Sequence, residues 1–148
     1  VAPEEASFYN LNQVDLYGVE GEVIVEHPRD PRLKAFVNGS WQHCECDTGD
    51  HLPYAPTYKV NTGLLARRGR WDCMIRARLV GERYDRMNVE LDNFVTLDAS
   101  AGVDVWNGLQ LRLWLTNLAN EFYMESTGWP GAGRRFFVMV GYRDPSQS

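Results

Sequence analysis

The sequence predicts an all-β chain, an antiparallel two-layer β-sandwich of jelly-roll-like type with about eight or nine short strands and little helix. Three observations carry that expectation. Apolar and polar residues alternate with a period of two, helical spacing is nearly absent, and turn-forming residues interrupt the pattern at short intervals.

The alternation is clearest over 109–115, where Leu109, Leu111, Leu113 and Leu115 point one way and Gln110, Arg112 and Trp114 the other. Residues 71–80 repeat it, with Trp71, Cys73, Ile75, Ala77 and Leu79 opposed to Asp72, Arg76 and Arg78. Residues 87–92 continue it, and further strands are expected at 13–19, 22–27, 34–45, 57–62, 94–98, 121–126 and 135–142. In an antiparallel sheet of a soluble domain, such segments bury the apolar face and wet the polar one. Gly18, Gly21, Pro28, Pro31, the Asp47–Asp50 stretch, Pro53, Pro56, Gly63, Gly69, Gly81, Asn107-Gly108 and the Gly128–Gly131 stretch supply the punctuation. Helix is expected only as a turn or two near Thr116–Asn120 or at the N-terminus.

One hairpin follows from these strands. If 71–80 pairs with 87–92 across the loop 82–86, Arg78 meets Glu90 and Arg76 meets Asp92 on the wet face. Leu79 then meets Val89, and Ala77 meets Leu91, inside. Such a ladder explains four charges that would otherwise suggest a carboxylate-based catalytic cluster.

The 148 residues suit a single domain over 1–148, and the start at Val1 fits a processed or excised part of a longer protein. No apolar run approaches the roughly 18 residues of a membrane helix, so a soluble chain with no membrane span is expected. The net charge of −5 argues against general nucleic-acid binding. Of the 15 cations only Lys34 and Lys59 are lysine; arginine is the side chain of bidentate and stacking contacts.

Chemical motifs are sparse. Asp47-Thr48-Gly49 matches the aspartic-proteinase triplet but lacks that machinery's flanking apolar strand and partner sequence, and it is an ordinary turn sequence. Cys44, Cys46 and His51, with Cys73 from elsewhere, are the weak candidates for a metal; their spacing is not that of a structural zinc site, and no metal or other cofactor is expected. Asn38-Gly39-Ser40 is a glycosylation sequon. No nucleophile elbow, phosphate loop or dinucleotide fingerprint is present, which points away from an enzyme.

Exposed aromatics beside polar side chains remain. Trp114 sits with Arg112 and Gln110 on a polar strand face, Tyr84 at a hairpin tip and Trp129 in a Gly/Pro turn. Arg67, Arg68 and Arg70 form the densest basic patch. These eight residues are the expected ligand-binding set. The function they suggest is a non-catalytic recognition module binding a glycan or a cell-surface protein, such as a receptor-binding domain of a viral capsid or fibre, located extracellularly or on a virion. A structural domain of a homo-oligomer or larger assembly is the alternative, and a hydrolase the third.

Overall fold

The computed structural model describes residues 14–46, 51–106 and 108–142. Their strands are β1 (Val14–His27), β2 (Asp30–Cys46), β3 (Tyr58–Arg68), β4 (Trp71–Val80), β5 (Arg83–Tyr84) and β6 (Glu90–Leu91). The series continues with β7 (Phe94–Trp106), β8 (Leu109–Thr116), β9 (Met124–Ser126), β10 (Trp129–Pro130) and β11 (Arg135–Tyr142). No helix occurs among the described residues; Asn117 and Asn120, in the expected helical stretch, instead take left-handed φ of 50° and 55° in a turn.

The expected all-β, antiparallel character holds, but the layers do not. Seven long strands form one sheet in the order β1-β2-β3-β4-β7-β8-β11, every neighbour antiparallel, while β5/β6 and β9/β10 are two small ribbons in the connections. A sandwich would stack two sheets of comparable size. The strands are also longer than the breakers suggested. Gly18 and Gly21 lie inside the 14-residue β1, and β2 runs for 17 residues. The predicted strands at 71–80 and 135–142 coincide with β4 and β11.

The predicted hairpin does not form. β4 pairs along its whole length with β7, so Arg76 faces Asp98 and Arg78 faces Thr96. Residues 87–92 contribute only the two-residue β6, because the Asp85 carboxylate accepts hydrogen bonds from the Met87 and Val89 amides (2.8 and 2.9 Å) and folds that segment into a turn.

The two ends of the sheet differ. At one end the connections are two residues each, 28–29, 69–70 and 107–108, with Gly69 (φ 58°) and Gly108 (φ 84°) supplying the left-handed positions of tight turns. At the other end the connections span 47–57, 81–93 and 117–134.

The burial pattern reverses the expected one. Only Val80, Leu91 and Phe94 are buried apolar residues among those described, whereas Arg83, Asp85, Thr96, Asp98, Ser100 and Asn117 are buried and polar. On β7, Thr96, Asp98 and Ser100 are 5–7% exposed while Val95 and Leu97 are 45% and 37% exposed. Leu111 and Leu113 are exposed on the face opposite Arg112. The alternation is the expected one, but the polar side of it is buried and the apolar side exposed.

Candidate functional site: the polar face and the loop-bearing end

Register carries the same two chemistries across the sheet. One face presents Val23 and Val25 of β1, Leu33 and Val37 of β2, Leu64 of β3, Ile75 of β4, Leu97 of β7, Leu113 of β8 and Val138 of β11, all exposed. Aromatic side chains fringe this apolar face. Tyr17 and Trp41 meet edge to face at 6.1 Å toward the loop-bearing end, and Trp71, Trp106 and Tyr142 stand 60–74% exposed toward the short-turn end. Trp106 reaches that face because the β7–β8 register shifts between Asp104 and Trp106. A continuous exposed apolar surface of this extent is not a feature of a soluble monomer. Apolar-out and polar-in alternation between two aromatic fringes, with short turns at one end and long loops at the other, is the pattern of a transmembrane β-barrel wall. Strands β1, β2, β3, β4 and β7, at 10–17 residues, reach the about 9–11 residues that cross a bilayer at the usual tilt, and β8 and β11 have eight each.

The polar face is held by cross-strand pairs. Arg112 on β8 reaches Asp72 on β4 at 2.8 Å, spanning the intervening β7 at Gly102. A Cβ at Gly102 would lie 2.7 Å from Asp72 Oδ1 and 2.9 Å from Arg112 Nη2, so glycine makes room for the bridge. Gln110 donates to Asp104 at 2.7 Å. These groups line a groove of about 600 Å³ on the short-turn half of the face, with Lys34, Arg67 and Met74. Toward the loops, Arg76 pairs with the buried Asp98 at 2.5 Å, and Asp98 also accepts the Asn117 amide at 3.0 Å. Asn117 in turn donates to the carbonyls of Glu121 and Ala132 and accepts the Glu121 amide, fixing the start of the 117–134 loop.

The long loops are knitted together. Arg83 donates to the Asp92 and Met124 carbonyls, and its guanidinium lies 4.8 Å from the centre of the Phe94 ring, which stacks on Tyr123 at 4.0 Å. Burial, reinforced by the nearby Arg78, lowers the Arg83 pKa, with Glu125 and Asp92 opposing. Asp85 accepts from the Thr127 hydroxyl at 2.6 Å; that bond and the Val89 amide hold its carboxyl below the ordinary 3.8 despite the opposing effect of burial. His51 stacks on Tyr84 at 3.6 Å, and its ring nitrogen lies 2.9 Å from the Asn88 side-chain oxygen.

The predicted ligand-binding residues fall into three places. Trp114, Arg112 and Gln110 lie together on the polar face of β8. Tyr84 and Trp129 lie in the long loops, and Arg67, Arg68 and Arg70 surround the β3–β4 turn at the opposite end. The weak metal candidates also separate. The Cys44 and Cys46 sulfurs are 3.8 Å apart, but Cys73 is on the apolar face and His51 stacks in the loops. No three metal-ligating side chains converge among the described residues. The Asp47-Thr48-Gly49 triplet lies outside them. Sequence reasoning names Asp98 only among carboxylates a hydrolase could draw on and passes over Asp85, Arg83 and Asn117; all four are buried polar residues that organise the loop-bearing end. Asp98 alternates with Leu97 and Ala99 inside β7 and Asn117 directly follows β8, the one signal that marks them.

The chain resembles known proteins of one kind. A family model described as "TonB dependent receptor-like, beta-barrel" matches residues 2–118. The copper transporter OprC superposes with a TM-score of 0.73 at 15% identity, over 87% of this chain and 23% of that one. The siderophore receptor PiuA from Acinetobacter baumannii gives 0.69 at 16% identity, over 87% and 22%. The ferric yersiniabactin uptake receptor FyuA from Yersinia pestis gives 0.67 at 22% identity, over 86% and 22%. The chain thus spans less than a quarter of each of these proteins. No curated protein matches it.

These findings overturn several expectations. A glycan- or cell-surface-binding module of a viral capsid or fibre, its virion-surface location and the jelly-roll description do not survive the family match. The absence of a membrane span was read from the lack of an apolar helix-length run, a test that β-strands evade because each contributes only alternate apolar residues. With its model matched over more than half the sequence, the TonB-dependent receptor-like β-barrel family is the one to which this chain belongs.

Proposed function

We propose that the chain is a stretch of the membrane-embedded wall of an outer-membrane receptor that imports a metal ion or a metal chelate. The observation that carries this is the inverted alternation, with an exposed apolar band fringed by Tyr17, Trp41, Trp71, Trp106 and Tyr142 and a polar opposite face. Under this reading the apolar face meets lipid and the polar face lines the lumen. The two-residue turns lie in the periplasm and the long loops outside the cell. The similar structures, a copper transporter, a siderophore receptor and a ferric yersiniabactin uptake receptor, support this substrate class, and the family name supports dependence on TonB.

The wall supplies surfaces more than chemistry. Tyr84 and Trp129, in the outer loops, are placed to meet an incoming ligand, while Arg112, Gln110 and Trp114 line its route. Arg78 gives the upper lumen a cationic group suited to an anionic chelate, whereas the neighbouring Arg76 is paired with Asp98. Cysteine placed at Gly128 or at Gly69 of the full-length receptor tests the orientation, each in a background with the native cysteines replaced. A membrane-impermeant maleimide should label the Gly128 position on intact cells and the Gly69 position only after the outer membrane is opened. Labelling of both on intact cells would refute the assignment. Impaired metal-chelate uptake on deletion of the gene, restored by the intact receptor, tests the substrate class.

A further inference from the structure

In the densest basic stretch of the chain, Arg67-Arg68-Gly69-Arg70, Arg67 lines the groove of the polar face, and Arg68 lies on the apolar face outside the import route just proposed. The stretch surrounds the β3–β4 turn at the short-turn end, next to Trp71 of the aromatic fringe. The acidic groups nearby already have partners: Asp30 pairs with Arg32 at 2.7 Å, Glu26 with Lys34 at 2.6 Å and Asp72 with Arg112 at 2.8 Å. Arg29, Arg67 and Arg68 make no ion pair among the described residues. The rim at this end is therefore positively charged.

A groove of about 680 Å³ opens on the apolar face beside this rim. Leu33, Leu64 and Ile75 wall it, with the smaller Ala66 and Cys73 paired between them. Two residues further along those strands, toward the turn and on the same face, Arg68 pairs with Trp71. His27 and Pro28 also line the groove, one residue from Arg29 of the neighbouring turn. An apolar slot with unpaired arginines and an interfacial tryptophan just beyond its turn-side end has the amphipathic form of one lipid molecule.

We infer that this groove seats one anionic glycerophospholipid of the periplasmic leaflet, an acyl chain between Leu33 and Ile75 and the phosphate at Arg68 and Arg29. The inference rests on the membrane reading above, since only there does the apolar face meet lipid. Charge complementarity commits it to an anionic headgroup. The side chains of Arg68 and Arg29 can extend along the interface while their charges stay wet.

The test is native mass spectrometry of the full-length receptor, delipidated and then offered phosphatidylglycerol or phosphatidylcholine, with lipid A in a third arm. Phosphatidylglycerol should be retained preferentially, and R29S/R68S should weaken its retention by about thirtyfold, as loss of two interfacial charges implies. R29K/R68K should keep most of the preference. Filling the groove with A66F should reduce retention of both lipids; if that variant fails to fold, the turn substitutions still decide the question. Equal retention of the two lipids, or no effect of R29S/R68S, would overturn the proposal, as would preferential retention of lipid A. A heat-shifted gel band after reconstitution into vesicles separates the two levels. A receptor that inserts but shows no headgroup preference defeats the lipid site alone; one that does not insert defeats the membrane reading with it.

Discussion

On β7 the residues Val95, Leu97, Ala99 and Ala101 alternate with Thr96, Asp98, Ser100 and Gly102, and the two sets live in opposite surroundings. The polar set is packed against neighbours, Asp98 within an ion pair and Ser100 in the floor of the lumenal groove. Of the apolar set, Val95, Leu97 and Ala101 are exposed and Ala99 is half-buried. Each Val or Leu left in water forgoes roughly 1.5–3 kcal/mol of burial. Repeated over seven strands, that loss exceeds the 5–15 kcal/mol by which folded domains are ordinarily stable. The difference between the faces therefore says that the medium on the apolar side is not water. Strand geometry fixes which residues share a face; the solvent on each side decides which face is buried.

Substitutions that exchange the chemistry of the two faces should break this contrast, and the largest effect belongs to the lipid side. Leu113→Arg places a guanidinium in the apolar band and should cost about 2–4 kcal/mol at mid-bilayer depth. It should be read as a lower urea midpoint for the full-length receptor in lipid, followed by the heat-shifted band. The neighbouring Arg112→Leu makes the reverse change on the lumenal side. Its partly exposed pair with Asp72 should yield no more than about 1 kcal/mol in the same assay. Asp98→Ala lies between the two. It leaves Arg76 and the Asn117 amide without their acceptor and should cost about 1–3 kcal/mol, with faster hydrogen exchange at Asn117 and Glu121.

A smaller, local effect is expected in the long loops. Because the folded carboxyl of Asp85 titrates below its ordinary 3.8, its tether to Thr127, Val89 and Met87 is fully present above about pH 4. It is lost as pH falls through the lower, folded value. Exchange at the Met87 and Val89 amides, corrected for intrinsic rates, should stay flat from pH 7 to about 4 and rise only below. Asp85→Asn should raise it throughout. The smallest effect belongs to Lys34→Ala, which removes an exposed pair with Glu26 and should change stability by less than about 1 kcal/mol.

Much of the wall was legible in the sequence. The alternation at 71–80, 109–115 and 135–142 gives strands at nearly their observed bounds, and Gly69 and Asn107-Gly108 mark tight turns. Its sign was not legible. Leu109 to Leu115 alternate with Gln110, Arg112 and Trp114 in the same way whether leucines face a protein core or a bilayer, and period-two pattern carries no label for the solvent. Strand length was the missed signal, since β1 and β2 run for 14 and 17 residues through Gly18, Gly21 and Pro31, positions read as breaks. The loop-bearing end was hidden for another reason. Asp98, Asn117, Arg83 and Thr127 come from distant parts of the chain and resemble ordinary turn residues one at a time, so only the β4–β7–β8 register brings Asp98, Arg76 and Asn117 together.

A spin-label scan of β7 tests the central claim most directly. Single cysteines are placed at 95 to 101 in a full-length receptor whose Cys44, Cys46 and Cys73 are serine, reconstituted in lipid, and their collisions with oxygen and with a water-soluble nickel chelate are compared. Labels at Val95, Leu97, Ala99 and Ala101 should report high oxygen and low nickel access, and labels at Thr96, Asp98 and Ser100 low oxygen access. An alternation of the opposite phase, or none, would contradict the assignment of the apolar face to lipid.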